Sequence, residues 1–123
     1  MKITKIDIIT RPSKLEELKD ALNAIGVLGM TVSQVYGCGL QRGHKEVFRG
    51  KEYEVNLVPK IKLETVVCEV PVEKVLEVAQ KVLRTGNFGD GKIFVSELSD
   101  AVRIRTGQRG AEAIMDIPGE KAE

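Results

Sequence analysis

The order of hydrophobic periodicities along the chain limits its possible folds more than any other sequence feature. Apolar residues recur at helical spacing in residues 13–26 and again in residues 71–86. Four short runs rich in β-branched residues have the length and composition of strands: residues 3–10, 30–37, 60–70 and 92–98. The order β-α-β-β-α-β predicts a ferredoxin-like α+β sandwich, in which both helices cover one face of an antiparallel four-stranded sheet.

Local signals mark the ends of both helices. Ser13 and Glu16 fit a capping box, in which the hydroxyl and the carboxylate each satisfy a backbone N–H, and Gly26 is a natural stop. Pro71 suits the start of the second helix and Gly86 its end. The predicted buried positions are Leu15, Leu18, Leu22 and Ile25 in the first helix, Val75, Ala79, Val82 and Leu83 in the second, and Ile61, Leu63, Thr65 and Val67 in the third strand.

The strands carry apolar residues on both faces of the predicted sheet. Because the helices cover only one face, surplus apolar residues on the other predict an oligomer. The segment AVRIRTG (101–107) alternates apolar residues with arginines and predicts a short extra C-terminal edge strand. The apolar residues on the two faces include Ile8, Ile9, Val66, Val67, Ile93, Phe94 and Val95.

Length and composition predict one cytoplasmic domain. The 123 residues suffice for a single domain, here 1–115, followed by a disordered tail, 116–123, that is rich in proline, glycine and charge. Nineteen basic residues against 18 acidic ones argue against a nucleic-acid partner. The N-terminus lacks a signal-peptide pattern, and no 18-residue apolar run occurs. Cys38 and Cys68 are predicted to be reduced thiols.

A long polar segment, about residues 39–57, separates the second and third strands. Connections of this length are uncommon in compact domains and are usually functional. The segment cannot bury its backbone, so it is expected to be mobile in isolation. It is either a plain polar loop or a segment that becomes ordered on binding a partner. At its start, Gly37 and Gly39 permit close approach to a ligand, and Gln41 can meet a metal or an anion.

Two further segments suggest binding of an anion. In TGNFGDGKIFV (85–95), glycines at a helix-to-strand turn precede Lys92, a combination that suits phosphate; the alternative is an ordinary turn. Arg103 and Arg105 would project from the same face of a strand, where two guanidiniums match phosphate oxygens; the alternative is a solvated edge. Catalysis is not indicated, because the single histidine, His44, lies in the polar loop and the cysteines give no zinc spacing.

Taken together, these motifs resemble the PII family of nitrogen-regulatory signal-transduction proteins. The resemblance spans residues 1 to about 115. TGNFGDGKIFVSEL matches the C-terminal signature of the family, and FRGKEY (48–53) its loop signature. GMTV, GCGLQRGH and RIRTG also fit. The resemblance implies a non-enzymatic homotrimer.

The resemblance also implies ligands for this trimer. ATP or ADP would lie in clefts between subunits. Gln41 would ligate the Mg²⁺ bound to ATP, 2-oxoglutarate would complete the shell of the metal, and Lys60 would pair with a 2-oxoglutarate carboxylate. The implied nucleotide-binding residues are Thr31, Gly37, Gly39, Glu64, Gly89, Asp90, Gly91, Lys92, Arg103 and Arg105.

The polar loop then corresponds to the T-loop of the family, which meets partner proteins and whose conformation depends on the bound ligand. Arg49 matches a loop-tip arginine that enters an ammonium transporter, so membrane contact would come only through that partner, at the inner face. Tyr53 matches a tyrosine that is uridylylated in some relatives, which makes a uridylyltransferase a further partner. Enzymes and regulators of nitrogen assimilation are alternative targets.

Three positions depart from the family pattern. Phe48 replaces a tyrosine, and Lys51 stands where other relatives have a phosphorylated serine. Leu40 replaces an arginine that touches phosphate, a contact worth about 1.5–3 kcal/mol. Two other functions stay open: a PII-like paralogue that senses a different small molecule or nucleotide, and a small nucleotide hydrolase. Gln41 and Lys60 together argue against the first, and the lack of a defined base against the second.

Overall fold

The structure is a computed structural model and describes residues 2–39 and 56–115. Its four strands form one sheet in the order β2-β3-β1-β4, and all neighbouring strands are antiparallel. This confirms the predicted ferredoxin-like architecture. The elements are β1 (Ile3–Thr10), α1 (Leu15–Ala24), β2 (Thr31–Gly39), β3 (Asn56–Val67), α2 (Val72–Leu83) and β4 (Lys92–Leu98), with short 3-10 turns at Pro12–Lys14 and Gly110–Ala113.

The core lies between the two helices and one face of the sheet. Alternate residues of β1 and β3 point toward the helices, because strand side chains alternate between faces. Every member of the stripe predicted for β3 is buried, as are three of the four positions predicted for α2. The exception, Val82, is half-buried. Fully buried side chains include Ile6, Ile8, Leu18, Leu22, Leu63 and Val75.

The predicted capping box is wrong. Pro12 begins a 3-10 turn, so Ser13 lies inside that turn and α1 starts only at Leu15. The N-cap is Lys14, which makes no side-chain capping bond. At the second helix, Pro71 is the N-cap itself, and the chain leaves the helix at Arg84 with Gly86 beyond its end.

The hairpin that carries the polar loop is longer than predicted. β2 continues to Gly39, and β3 begins at Asn56 and ends at Val67, three residues before the predicted end. The last pair in the register joins Gly39 to Asn56. The two strands therefore bring the ends of the loop together, and the loop positions 40–55 lie outside the described residues, as does the predicted tail, 116–123.

The predicted extra strand is also wrong. Val102 makes a single β-bridge with Arg109, and the chain turns at residues 104–106. The backbone of this segment bonds to its own continuation, since the Arg103 N–H donates to the Gln108 carbonyl and the Gly107 N–H donates to the Arg103 carbonyl. Alternating residues predicted an extended strand, but these local bonds bend it into a loop.

The open face of the sheet is more polar than predicted. Ile93 and Val95 belong to the helix side, because they lie opposite Ile8 and Ile6. Phe94 is on the open side and half exposed. The charged residues on that open side include a network of Lys5, Asp7, Lys62 and Glu64, with the Lys5 ammonium 3.3 Å from the Glu64 carboxylate. Within residues 2–39 and 56–115, neither helix has the length and apolar character needed to span a membrane.

Candidate functional site

The glycine-rich turn between α2 and β4 has a backbone that only glycine adopts readily. Gly89 has a φ of +99° and Gly91 a φ of +107°. A Cβ atom at Gly91 would lie 1.9 Å from the carbonyl oxygen of Ile9. Gly91 therefore allows a close approach of the turn to the neighbouring strand β1 of the same chain. That contact sets the distance between the backbone of the turn and the backbone of β1.

Asp90 organises this turn through its carboxylate. The carboxylate accepts bonds from the Thr85 hydroxyl at 2.5 Å, the Thr85 N–H at 2.8 Å and the Gly86 N–H at 3.0 Å. It also accepts one from the Arg11 guanidinium at 2.7 Å. The Thr85 hydroxyl, then Arg11, hold the pKa of Asp90 well below its usual range. The sequence placed Asp90 among nucleotide ligands, but its carboxylate is engaged in holding the turn.

Asp90 is expected to make stability depend on pH under acid conditions. Its folded-state pKa lies below the unfolded value of about 3.9. Its contribution is therefore complete above pH ~4 and is lost as the pH falls further, because the unfolded chain takes up the proton more readily. Urea midpoints measured from pH 6 to pH 3 should fall more for the wild type than for Asp90→Asn. Thr85→Val, which removes the strongest donor, should give an intermediate slope; equal slopes for all three proteins would contradict this account.

Two cations lie against the same turn. The Lys60 ammonium donates to the Gly89 carbonyl at 3.0 Å, and the Arg11 guanidinium donates to the Phe88 carbonyl at 3.1 Å. Gly37 lies beside Lys60 and therefore near the turn, because a Cβ atom at Gly37 would lie 3.6 Å from the Lys60 side chain. Sequence reasoning missed Arg11. The available signal in the sequence was its position directly after the first predicted strand. In the structure this strand pairs Ile9 with Lys92, which follows the turn.

A second group of predicted residues lines a groove of about 680 Å³. Thr31 opens β2 directly opposite Glu64 on β3, and both face this groove. Arg103 and Ile104 close it from the C-terminal loop. The Ile104 side chain is 96% exposed, so the groove offers an uncovered apolar surface beside charged groups. A flat, mainly apolar ring with polar edges fits such a surface.

Arg103 and Arg105 differ in their surroundings. The Arg103 guanidinium donates to the carbonyls of Ala113 at 3.1 Å and Met115 at 3.0 Å, which ties the C-terminal segment to the groove. Arg105 is exposed on the turn. The expectation that both project from one face of a strand is wrong, because residues 104–106 form that turn. Arg103 and Arg105 are separated in the sequence by Ile104 alone.

The predicted nucleotide residues therefore form two groups within one chain. The turn group contains Gly37, Gly89, Asp90, Gly91 and Lys92, with Lys60 of the predicted 2-oxoglutarate site against it. The groove group contains Thr31, Glu64 and Arg103, and Arg105 lies on the exposed turn that follows Arg103. Thr31 and Gly37 are six positions apart on β2, which corresponds to about 20 Å of extended strand. Gly39 ends β2 near the turn group, whereas Gln41, Arg49 and Tyr53 lie outside the described residues.

Comparison with known proteins identifies the family. The family model described as nitrogen regulatory protein P-II matches residues 3–108. The chain is 51% identical over 110 residues to a nitrogen regulatory PII-like protein of Bacillus subtilis, covering 89% of this chain and 95% of that protein. The chain belongs to the PII family. A nitrogen regulatory protein P-II of Rhodospirillum rubrum is 49% identical over 110 residues, with 89% and 98% covered.

Solved PII structures agree with this assignment. The structure of B. subtilis GlnK superimposes with a TM-score of 0.79 at 50% identity, covering 92% of this chain and 99% of that one. A B. subtilis GlnK–ATP complex gives a TM-score of 0.78 at 46% identity, covering 91% and 95%. PII proteins are regulators of nitrogen metabolism without enzymatic activity, so the predicted family and the non-enzymatic role of this PII protein are both confirmed.

Proposed function

We propose that this PII protein is a homotrimer that binds ATP or ADP in clefts between subunits and, together with Mg–ATP, binds 2-oxoglutarate. The observation that carries the proposal is the division of the nucleotide residues into two groups about 20 Å apart along β2. Neither group alone offers both an apolar surface and a phosphate-binding turn. Packing the groove of one subunit against the turn of the next would complete the site.

Other features support association of subunits. The open face of the sheet presents Phe94 together with a network of charged side chains, and a buried oxygen of Asp7 on that face lies 3.8 Å from the Lys5 ammonium but accepts no hydrogen bond among the described residues. Buried polar groups in native proteins are nearly always satisfied. A neighbouring subunit would supply the missing donor. The B. subtilis GlnK–ATP complex, at 46% identity, supports ATP as the nucleotide.

Within the completed cleft the two groups would take different parts of the ligand. Thr31, Glu64 and the apolar side chains of the groove suit the adenine, and the glycine turn, Lys92, Arg103 and Arg105 suit the phosphates. Lys60 already lies against the turn, 3.0 Å from the Gly89 carbonyl, so its ammonium can meet a 2-oxoglutarate carboxylate beside the phosphates.

Most of the donor atoms for Mg²⁺ would come from the bound ligands and not from the protein. The described residues contain no cluster of three or more histidine, cysteine, aspartate or glutamate side chains that could hold a metal ion. Oxygens of ATP and of 2-oxoglutarate, with Gln41, are the donors that Mg²⁺ prefers. When bound, Mg²⁺ would neutralise phosphate charge and connect the two ligands. Binding of 2-oxoglutarate should therefore require ATP.

The response would reach partner proteins through the T-loop. β2 and β3 hold the ends of the loop beside the turn group, because Gly39 pairs with Asn56. A ligand there can favour one loop conformation only through its differential affinity for that conformation. We propose that Arg49 contacts an ammonium transporter at the inner face of the membrane, that Tyr53 is the site for a uridylyltransferase, and that enzymes of nitrogen assimilation are alternative partners of this cytoplasmic protein.

Calorimetry tests the ligand assignment. Wild-type protein should bind Mg–ATP, and should bind 2-oxoglutarate only when Mg–ATP is present. Lys60→Ala should retain ATP and weaken 2-oxoglutarate by at least tenfold, because a charge-assisted bond is worth about 1.5–3 kcal/mol. Lys74→Ala, which removes an exposed ammonium from α2, is the control and should match the wild type. If ATP binds and 2-oxoglutarate never does, the protein senses another small molecule. A monomer by native mass spectrometry would contradict the shared cleft.

A further inference from the structure

The loop that carries Arg103 and Arg105 is closed at its base by one carboxylate. Asp100 accepts hydrogen bonds from the backbone N–H of Ala101 at 2.8 Å and of Gly110 at 3.0 Å. Its second oxygen accepts the Arg109 Nε–H at 2.8 Å and an Nη2–H of the same guanidinium. Asp100 thus joins the first residue of the loop to its last, and Arg109 holds that carboxylate in place.

Packing does not hold the loop in this chain. Its apolar side chains, Val102 and Ile104, are 56% and 96% exposed. Two backbone bonds cross the loop that Asp100 closes: the Arg103 N–H donates to the Gln108 carbonyl, and the Gly107 N–H donates to the Arg103 carbonyl. A loop without buried contacts opens at little cost unless hydrogen bonds close it. The shape of the loop is therefore set by hydrogen bonds: the Asp100 closure, the backbone bonds across the loop and the Arg103 bonds to the Ala113 and Met115 carbonyls.

The Asp100–Arg109 pair is an exposed ion pair with a well-defined geometry. The two side chains are 39% and 68% exposed, and exposed ion pairs generally add little to global stability. The geometry here is a fork of two N–H groups on one carboxylate that also accepts two backbone donors. Its effect is on local shape. The Arg109 guanidinium is paired with Asp100 at the base of the loop, and the proposed function assigns the phosphates to Arg103 and Arg105.

We propose that Asp100 and Arg109 are a positioning pair, which fixes the loop so that Arg103 and Arg105 meet the phosphates of a nucleotide. This inference rests on the proposed nucleotide site. Without the pair, the loop would have to be ordered at the moment of binding, and that ordering lowers affinity. The loss of affinity should be larger for ligands with phosphates than for the base alone, because Val102 and Ile104 of the loop line the apolar groove only together with residues of β2 and β3.

Calorimetric titration of the full-length oligomer with ATP, ADP and adenosine tests the pair. Asp100→Ala and Arg109→Ala should each lower the affinity for ATP by about tenfold, the lower end of the effect of losing a charge-assisted contact, and lower the affinity for adenosine clearly less. Asp100→Asn keeps an acceptor for the two backbone N–H groups and should weaken ATP less than Asp100→Ala. The double variant should bind ATP with the same affinity as the more strongly affected single variant, because the effects of residues that act together are not additive.

Two reference variants separate the possible outcomes. Arg105→Ala should itself weaken ATP; if it binds like the wild type, the phosphate role of the loop is wrong and the pair has nothing to position. If Arg105→Ala is weakened while Asp100→Ala and Arg109→Ala bind like the wild type, the pair is not a positioning pair although the nucleotide site stands. Lys74→Ala removes another exposed ion pair, with Glu77 at 3.4 Å, and should bind like the wild type.

Two results would contradict a specific role. Equal losses for ATP and adenosine, with a lower melting temperature, would show a general structural effect and overturn the inference. Failure of the wild type to bind any of the three ligands would overturn both the inference and the proposed nucleotide site.

Discussion

Replacing Gly91 with alanine is expected to destabilise the protein by about 3 kcal/mol or more. The new Cβ atom would lie 1.9 Å from the Ile9 carbonyl oxygen and 3.0 Å from the Thr10 Cα atom, and both belong to the backbone of the central strand β1. Neither atom can move without breaking the sheet. The φ of +107° adds strain for any residue with a side chain. Urea denaturation at one fixed protein concentration would measure the loss.

Gly86→Ala is the matched control for this variant. Gly86 lies in the same turn with a φ of +89°, but among the described residues no atom other than those of Gly86 and its two chain neighbours lies within 4 Å of the position its Cβ would occupy. Its cost should be the backbone strain alone, about 1–2 kcal/mol. Equal losses for the two variants would show that the close approach of Gly91 to β1 contributes nothing. The Gly91 variant should also lose nucleotide binding, because the turn would be displaced from Lys60.

Ile8→Ala is expected to cost about 2–5 kcal/mol through a cavity at the centre of the core. Ile8 is fully buried in β1, where it lies between Leu63 of β3 and Ile93 of β4. Strands on both sides restrict the collapse that would otherwise fill the space. Thermal and urea unfolding at the same protein concentration would measure the change.

Ile8→Val supplies the graded comparison. It removes one methylene group and should cost about 0.5–1.5 kcal/mol. A loss for Ile8→Ala no greater than that for Ile8→Val would mean that the core rearranges to fill the cavity. The structure gives no sign of such freedom, because Ile6, Leu18 and Leu22 are also fully buried around the same layer.

The periodic segments were predictable because burial on one face forces a repeat that a sequence displays directly. β1 and β4 have the predicted bounds, and the β3 stripe from Ile61 to Val67 is buried as expected. The local signals were less informative. Ser13 has the right neighbours for a cap, but Pro12 starts a 3-10 turn that places it inside. The alternation in residues 101–107 suggested a strand, but the segment bonds to its own continuation and turns back.

The site was predictable in composition and not in arrangement. A glycine-rich turn and paired arginines suggest an anion because these groups bind anions wherever they occur. Asp90 shows the limit, because its role depends on Arg11, which is 79 positions away in sequence. The pairing of Asp100 with Arg109 depends in the same way on a loop closure that no periodicity marks.

The sequence by itself determined the two helices, the four strands of the sheet, their order and the PII signatures, because these depend on periodicity and on contiguous motifs. Only the tertiary structure decided that Gly91 is required by the backbone of β1, that Asp90 holds its own turn, and that the residues predicted to bind a nucleotide divide into two groups. Those features depend on distances between residues far apart in the chain. Such distances are set by sheet register and packing, which a linear pattern does not contain.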